Sequence, residues 1–370
     1  MALFEPITLR GLTMRHRAVV SPMCQYSASE GCATDWHTVH WGQLLQSGAA
    51  MLCIEATAVS PDGRISPLDL GLYSDDNERE MRARLACVRR VAPPMPVALQ
   101  LAHAGRKGSS RAPWDGGTLI GPKDGGWTTV SASALPHAAG EPPPRALDLR
   151  ELADIAQAFA DTARRAVRVG IDALELHMAH GYLLHQFLSP LSNRRTDAYG
   201  GTRDNRMRFP LAVFDAIRAA WPAERPLGAR ISATDWVEGG WTLEDSIALA
   251  DALKQRACDW IDVSSGGISP SQEIPVGPGY QVPFASAIRK ATGVTTMAVG
   301  MITEALQAET IVRAGDADLV ALARGFLWNP RWAWHAAAAL GASLDAAPQY
   351  FRAPPRSAGA VFAGMRTGQR

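Results

Sequence analysis

Two histidines three positions apart, His177 and His180, followed two residues later by Tyr182, form the densest group of chemically useful side chains in the sequence, within LELHMAHGYL. The spacing lets both imidazoles point at one oxygen atom, and each can donate a hydrogen bond there, neutral or charged. Such a pair polarises a carbonyl and stabilises the enolate that forms when a nucleophile adds at its β-carbon. Tyr182 is placed to be a proton donor. One histidine alone is more often a satisfied loop residue, and it is the pair with a tyrosine that favours chemistry. The same residues permit a metal reading, in which Glu175, His177, His180 and His103 ligate a divalent ion as in barrel hydrolases. That reading ranks second, because Glu175 shares a strand face with His177 but lies deeper, and the other strand ends carry no clear carboxylate. A Schiff-base aldolase needs a buried strand-end lysine. Of four lysines only Lys107 comes near one, in the polar context AGRK.

These residues need a scaffold, and the hydrophobic pattern supplies it. Short apolar, β-branched runs at 18–21, 51–55, 97–101, 173–177, 227–231, 260–264, 296–299 and 319–322 read as strands. Amphipathic stretches at 36–46, 76–91, 149–169, 205–220, 243–255, 282–292, 304–313 and 331–340 read as the helices that follow them. Thr303 is the expected N-cap of the seventh helix, with Glu304 favourable for its dipole. Eight βα pairs predict an α/β fold, a single (β/α)8 TIM barrel over 1–370, with its active site at the C-terminal strand ends. A doubly wound sheet is the weaker alternative. The Gly-, Pro- and Trp-rich segment 108–147 predicts a lid over the pocket. The Pro/Gly/Arg-rich tail 348–370 is expected either to pack on a neighbour or to be loose.

Reading the strand ends in order gives Cys24 and Tyr26 after the first and the small Ala56 after the second. Gln100 and His103 follow on the third, the histidine pair and Tyr182 on the fourth, and Arg230 on the fifth. Loops after strands seven and eight often bind phosphate through backbone N–H groups, which points to Gly300, Met301, Ala323 and Arg324. Arg324 could add a bidentate pair.

Composition removes several classes of function. Lys+Arg 37 against Asp+Glu 36 leaves a net charge of +1 with no basic arm, which argues against nucleic acid. The 47% hydrophobic content is ample for a folded core. Cys24, Cys32, Cys53, Cys87 and Cys258 are odd in number and scattered, without a C-x-x-C, so neither a disulfide framework nor a zinc or iron–sulfur knuckle is expected. The start, MALFEPITLRGL, has no basic stretch before an apolar one, and no run of ~18 apolar residues occurs. A soluble cytoplasmic protein without a membrane partner is the expectation.

Taken together, SPMCQYSA (21–28), EATAVSPDGRIS (55–66), LQLAHAGRK (99–107), ELHMAHGYLLHQFLSPLSNRRTDAYGG (175–201), AVGMIT (298–303) and ALARGFLWNP (321–330) resemble the Old Yellow Enzyme family of FMN-dependent ene-reductases. The likeness is to its thermophilic-like class, the NADPH dehydrogenase and xenobiotic reductase type, with a cysteine beside the flavin. The resemblance implies tightly bound, non-covalent FMN across the barrel mouth. Ser21, Pro22, Met23, Cys24 and Ala56 would lie against the isoalloxazine, with Gln100 at its pyrimidine edge. Arg230 would sit near N1 and the C2 carbonyl, and Gly300, Met301, Ala323 and Arg324 at the phosphate. Family members often carry glycine where this chain has Ala323, which matters only if the backbone there needs φ > 0. By the same resemblance His177 and His180 bind the substrate carbonyl, Tyr26 lines the substrate, and Tyr182 protonates the α-carbon. The implied reaction carries hydride from NADPH or NADH through flavin N5 to the β-carbon of an activated alkene: an enone, enal, maleimide or nitroalkene. QYFR (349–352) resembles an element that reaches the neighbouring subunit, so Arg352 is the candidate intersubunit finger of a homodimer or homotetramer.

Overall fold

The computed structural model describes residues 1–365, and the last five residues of the expected tail lie outside it. Eight strands close into an all-parallel barrel: β1 (Ala18–Val20), β2 (Met51–Ala58), β3 (Val97–Ala102), β4 (Ala173–Met178), β5 (Leu227–Ser232), β6 (Ile261–Ser264), β7 (Thr296–Val299) and β8 (Leu319–Leu322). Each is buried along its whole length, as strands covered by helices outside and side chains inside must be. The main helices between them are α1 (Asp35–Leu45), α2 (Asp75–Arg89), α3 (Leu149–Val169), α4 (Arg203–Ala220), α5 (Leu243–Lys254), α6 (Val282–Thr292), α7 (Ala305–Arg313) and α8 (Trp332–Leu340). Among the described residues no helix is long and apolar enough to cross a membrane.

Two cores result from the alternation of side chains along the strands. The larger lies between strands and helices, where Leu152, Phe159, Ala163 and Ala166 of α3 meet the sheet. The smaller fills the barrel itself with Val19, Met51, Cys53, Ala98, Ala173, Trp260, Met297 and Leu319. An N-terminal hairpin, Ile7–Leu9 paired with Leu12–Met14, contributes Leu9 and Met14 to this interior. Two residues further up the same inward rows the composition turns polar: Gln100 on β3, Glu175 on β4, Arg230 on β5 and Asp262 on β6. The barrel therefore has an apolar floor and a polar upper layer that ends at the mouth formed by the C-terminal strand ends.

Helix starts follow local chemistry. Asp148 and Glu151 form a reciprocal capping box on α3, and Thr242 with Asp245 does the same on α5. The expectation for α7 is corrected: its N-cap is Glu304, without a side-chain cap bond, and Thr303 lies one residue outside. The Thr303 backbone is committed elsewhere, its amide to Gln307 Oε1 at 3.1 Å and its carbonyl to Trp332 Nε1 at 2.6 Å.

The described part of the tail is not loose, since it folds back on its own chain. Leu344 exchanges backbone hydrogen bonds with the Val361–Ala363 stretch. Phe362, buried, sits edge-on to Trp334 of α8 with ring centroids 4.8 Å apart. The Arg331 guanidinium covers both Trp334 and Tyr350, at 4.4 Å and 4.9 Å from their centroids. One aromatic side chain in GAVFAG suffices to anchor a segment whose composition otherwise reads as loose.

A built Cβ on Gly228 of β5 would lie 2.1 Å from the ring of Trp260, whose Nε1 donates to Glu175. The backbone there is ordinary, so the requirement for glycine is purely steric. Gly228→Ala is expected to lower stability by about 1–3 kcal/mol by overpacking the barrel interior, read as a lower urea midpoint at unchanged m-value.

Candidate active site

The site is built on the upper end of β4. His177 is in the strand, and the chain then turns through His180, at φ 57°, and Gly181, at φ 75°, into a short helix, Leu183–Leu188. A Cβ on Gly181 would lie 2.1 Å from the Gly267 carbonyl, and one on Gly267 would lie 2.5 Å from the His180 backbone. The loops after β4 and β6 thus pack backbone against backbone, which only glycine permits. Lys107 pins this contact, its Nζ donating to the His180 carbonyl at 2.9 Å and to the Gly267 carbonyl at 3.2 Å. Below the turn, His185 accepts the Gly181 amide through Nδ1 and meets Asp235 through Nε2 at 2.9 Å.

The structure brings the predicted pair together. His177 Nε2 and His180 Nδ1 are 3.3 Å apart, and the rings are nearly perpendicular. Tyr182 stands edge-on to His177 at 4.9 Å between centroids. Burial, with help from the Arg230 charge, holds both imidazoles well below the usual histidine range, so both are neutral. Burial likewise pushes the phenol of Tyr182 well up and keeps it protonated.

Beside the pair, in register with His177, is Arg230. Its Nη1 reaches Ser21 Oγ at 3.3 Å, and its Nε lies 3.2 Å from Asp262 Oδ2 but off the hydrogen-bond line. Asp262 has no hydrogen-bond donor on either oxygen among the described residues. Burial raises its carboxyl to about 7 against the opposing pull of Arg230, while Glu175 raises it further. Glu175 is raised by burial too, and it accepts from Gln100 Nε2 at 2.9 Å and Trp260 Nε1 at 3.1 Å. Those bonds answer the metal reading: both Glu175 oxygens are used within the barrel, and His103 Nδ1 accepts the Gly105 amide. Among the described residues no three His, Cys, Asp or Glu side chains group to hold a metal ion.

On the β1 side Pro22, Met23, Cys24 and Tyr26 follow the buried Ser21, all partly buried, and Ala56 lies in β2. Burial and the neighbouring Asp69 and Glu55 hold Cys24 as a thiol. Tyr26, also raised by burial, meets Trp114 of segment 108–147 edge-on at 5.4 Å. On the opposite side Gly300 takes φ 116° and Met301 φ 49°; a Cβ on Gly300 would lie 2.6 Å from Gln281 Nε2. Ala323 has φ −96°, so no glycine is needed there, and Arg324 opens the short helix Arg324–Trp328 with its side chain exposed. Arg352 is exposed on the tail, which packs beside α8.

Sequence reasoning overlooked three residues that shape this site and misjudged a fourth. Lys107 was placed in a polar loop, but it is largely enclosed, and burial lowers its ammonium to about 8. Ser264 of β6 and Gln281 before α6 extend the hydrogen bonds of His180. Asp69, buried beneath Cys24 and Tyr26, accepts the Ser66 amide on Oδ2 and leaves Oδ1 without a partner. Only the last carried a local signal, a carboxylate between Leu68 and Leu70.

Burial lifts the Asp69 carboxyl to about 7. The folded chain then holds a proton there that the unfolded chain has released, so stability falls as pH rises from about 4 through about 7. Asp69→Asn removes this loss. Its urea midpoint relative to the parent is expected to be higher at about pH 8 than at about pH 5, and an equal difference at both would refute the assignment.

The family model described as the NADH:flavin oxidoreductase / NADH oxidase family matches residues 2–342. An NADPH dehydrogenase from Geobacillus thermodenitrificans is 43% identical over 352 residues, covering 95% of this chain and 98% of that protein. One from Halalkalibacterium halodurans is 41% identical over 354 residues with the same coverage. Among solved structures, morphinone reductase superposes with a TM-score of 0.76 at 26% identity, covering 99% of this chain and 94% of that one.

Proposed function

Because this chain belongs to the NADH:flavin oxidoreductase / NADH oxidase family, and is thereby a flavin-dependent NAD(P)H oxidoreductase, we propose that its reaction is the reduction of activated alkenes. Enones, enals, maleimides and nitroalkenes are the substrate class. The observation that carries this reading is the pair of neutral imidazole nitrogens 3.3 Å apart, His177 Nε2 and His180 Nδ1, beside a protonated phenol.

The residues present fit FMN as the cofactor. Arg230 is a buried guanidinium whose Nε has no hydrogen-bond partner, Ala56 leaves room for a flat ring, and the Gly300 turn keeps side chains away from a phosphate. Ser21, Pro22, Met23, Cys24 and Ala56 would hold the ring system, Gln100 and Arg230 its pyrimidine side, and Gly300, Met301, Ala323 and Arg324 the phosphate. With Nε2 given to Glu175, Gln100 keeps its amide oxygen for a donor on the ligand. When bound, FMN supplies the two-electron chemistry linking NADPH or NADH to the alkene.

His177 Nε2 and His180 Nδ1 donate to the substrate oxygen, which drains electron density from the β-carbon and stabilises the enolate as it forms. The Tyr182 hydroxyl, protonated at working pH, gives its proton to the α-carbon and regains one from solvent. Tyr26 and Trp114 bound the substrate on the outer side, so that segment 108–147 acts as the lid that excludes water. Arg352 reaches a neighbouring copy in a homodimer or homotetramer.

Purified protein is expected to be yellow and to bleach with NADPH under anaerobic conditions; colourless protein after soaking with FMN would overturn the reading. His177→Ala or His180→Ala should keep FMN, abolish phenol binding, and slow alkene reduction about 10²–10³-fold, the usual cost of one lost oxyanion donor. Wild-type turnover in either variant would remove the assigned role. Cys24→Ala is expected to retain FMN with a shifted reduction potential, measured by redox titration.

A further inference from the structure

The two ring nitrogens of His180 face different partners. Nδ1 lies 3.3 Å from His177 Nε2, and Nε2 lies 2.7 Å from Ser264 Oγ. His177 Nδ1 accepts the Ala179 amide at 3.1 Å, so neutral His177 carries its proton on Nε2. That N–H points at His180 Nδ1, which must accept it. The His180 proton then sits on Nε2 and is donated to Ser264 Oγ, and Ser264 Oγ donates in turn to Gln281 Oε1 at 3.3 Å. The run ends at Gln281 Nε2, which donates to the Val299 carbonyl at 2.8 Å.

A substrate oxygen held by both imidazoles requires the opposite polarity at His180. Nδ1 must carry the proton and give it outward beside His177 Nε2–H, so Nε2 must accept. Among the described residues Ser264 is the one hydrogen-bond partner of that nitrogen. Its neighbour Ser232 already gives its hydroxyl proton to the Gly266 carbonyl while accepting the His180 amide. Gln281 tolerates the change, because Ser265 Oγ donates to the same Oε1 at 2.6 Å.

We propose that Ser264 is a positioning residue for the carbonyl site: its hydroxyl reverses from acceptor to donor so that His180 can present Nδ1–H to the substrate, while Gln281 is the competing acceptor that favours the other polarity. This deepens the ene-reductase reading and rests on the two histidines being the carbonyl donors. The proton balance closes through solvent that enters with the substrate: water takes the proton from Nε2 and supplies one to Nδ1, and the imidazole is neutral in both end states. The bond that must be given up, Ser264 to Gln281, is the longer of the two donated to Oε1. Ser264 and Gln281 are both buried, so water is a poor substitute for either.

The test uses FMN-loaded protein with ring-15N-labelled histidine, and phenol as the probe. The spectra should show His180 protonated at Nε2 without phenol and at Nδ1 with it. Ser264→Ala leaves the His177 N–H in place, so it should keep the Nε2 tautomer without phenol and lose the shift to Nδ1 with it. Gln281→Met deprives only one polarity of an acceptor, so it should tighten phenol binding about three- to tenfold, the equivalent of one neutral hydrogen bond. A merely structural role predicts weaker binding. His180 protonated at Nε2 in the phenol complex, or unchanged or weaker binding in Gln281→Met, would overturn the inference alone. If phenol moved the signals of neither His177 nor His180, the carbonyl-binding assignment itself would fall and take the inference with it.

Discussion

Arg230 is one positive charge that two carboxyl groups buried in the barrel, Asp262 and Glu175, must share. Water cannot screen them there, and one guanidinium cannot stabilise two carboxylates at once, so the cheapest state keeps a proton among the acids. Arg230 consequently retains net positive character toward the mouth. The same charge lies in register with His177 and adds to the burial that keeps both histidines neutral. The protonation of the upper layer thus follows first from burial, which the arginine on β5 opposes at the two acids and reinforces at the two histidines.

The mouth is positioned by backbone geometry as much as by packing. The approach of the Gly181 and Gly267 backbones sets the distance between the loops after β4 and β6, and Lys107, carried by the loop after β3, bridges their carbonyls. Arg106 extends this tie by donating to the Leu135, Pro136 and Ile268 carbonyls, which joins segment 108–147 to the same assembly. Three loops from different strands are therefore held by two adjacent cations on one turn.

What the sequence revealed follows from how barrel strands are buried. Apolar on both faces over most of their length, they read as short apolar runs, and the bounds expected for β7 and β8 coincide with those observed. The polar residues that interrupt the runs, Gln100, Glu175, His177 and Arg230, are the ones that make the upper layer. Ser264 and Gln281 escape notice, and the enclosure of Lys107 is not legible, because a lone serine, glutamine or lysine has no periodicity and their partners lie far away in the chain. Lys107 meets His180 across 73 positions and His180 meets Ser264 across 84. Thr303 misled for the converse reason, as its residue type suits a cap while its amide and carbonyl are taken by Gln307 and Trp332.

On the proposed ene-reductase reading, neutrality of the histidine pair has a catalytic rationale. Two imidazolium rings 3.3 Å apart beside Arg230 would repel strongly at low dielectric, and a fixed cation there would also bind ground-state anions such as carboxylates. Neutral N–H donors interact modestly with an uncharged carbonyl and much more strongly with the oxyanion that develops from it, which is the differential binding that accelerates a reaction. The phenol of Tyr182 and the thiol of Cys24 are held protonated by the same burial, so neither competes as an anion for those donors. Charge reaches the substrate oxygen only as the reaction proceeds, and it arrives where the protein's own groups have been kept uncharged.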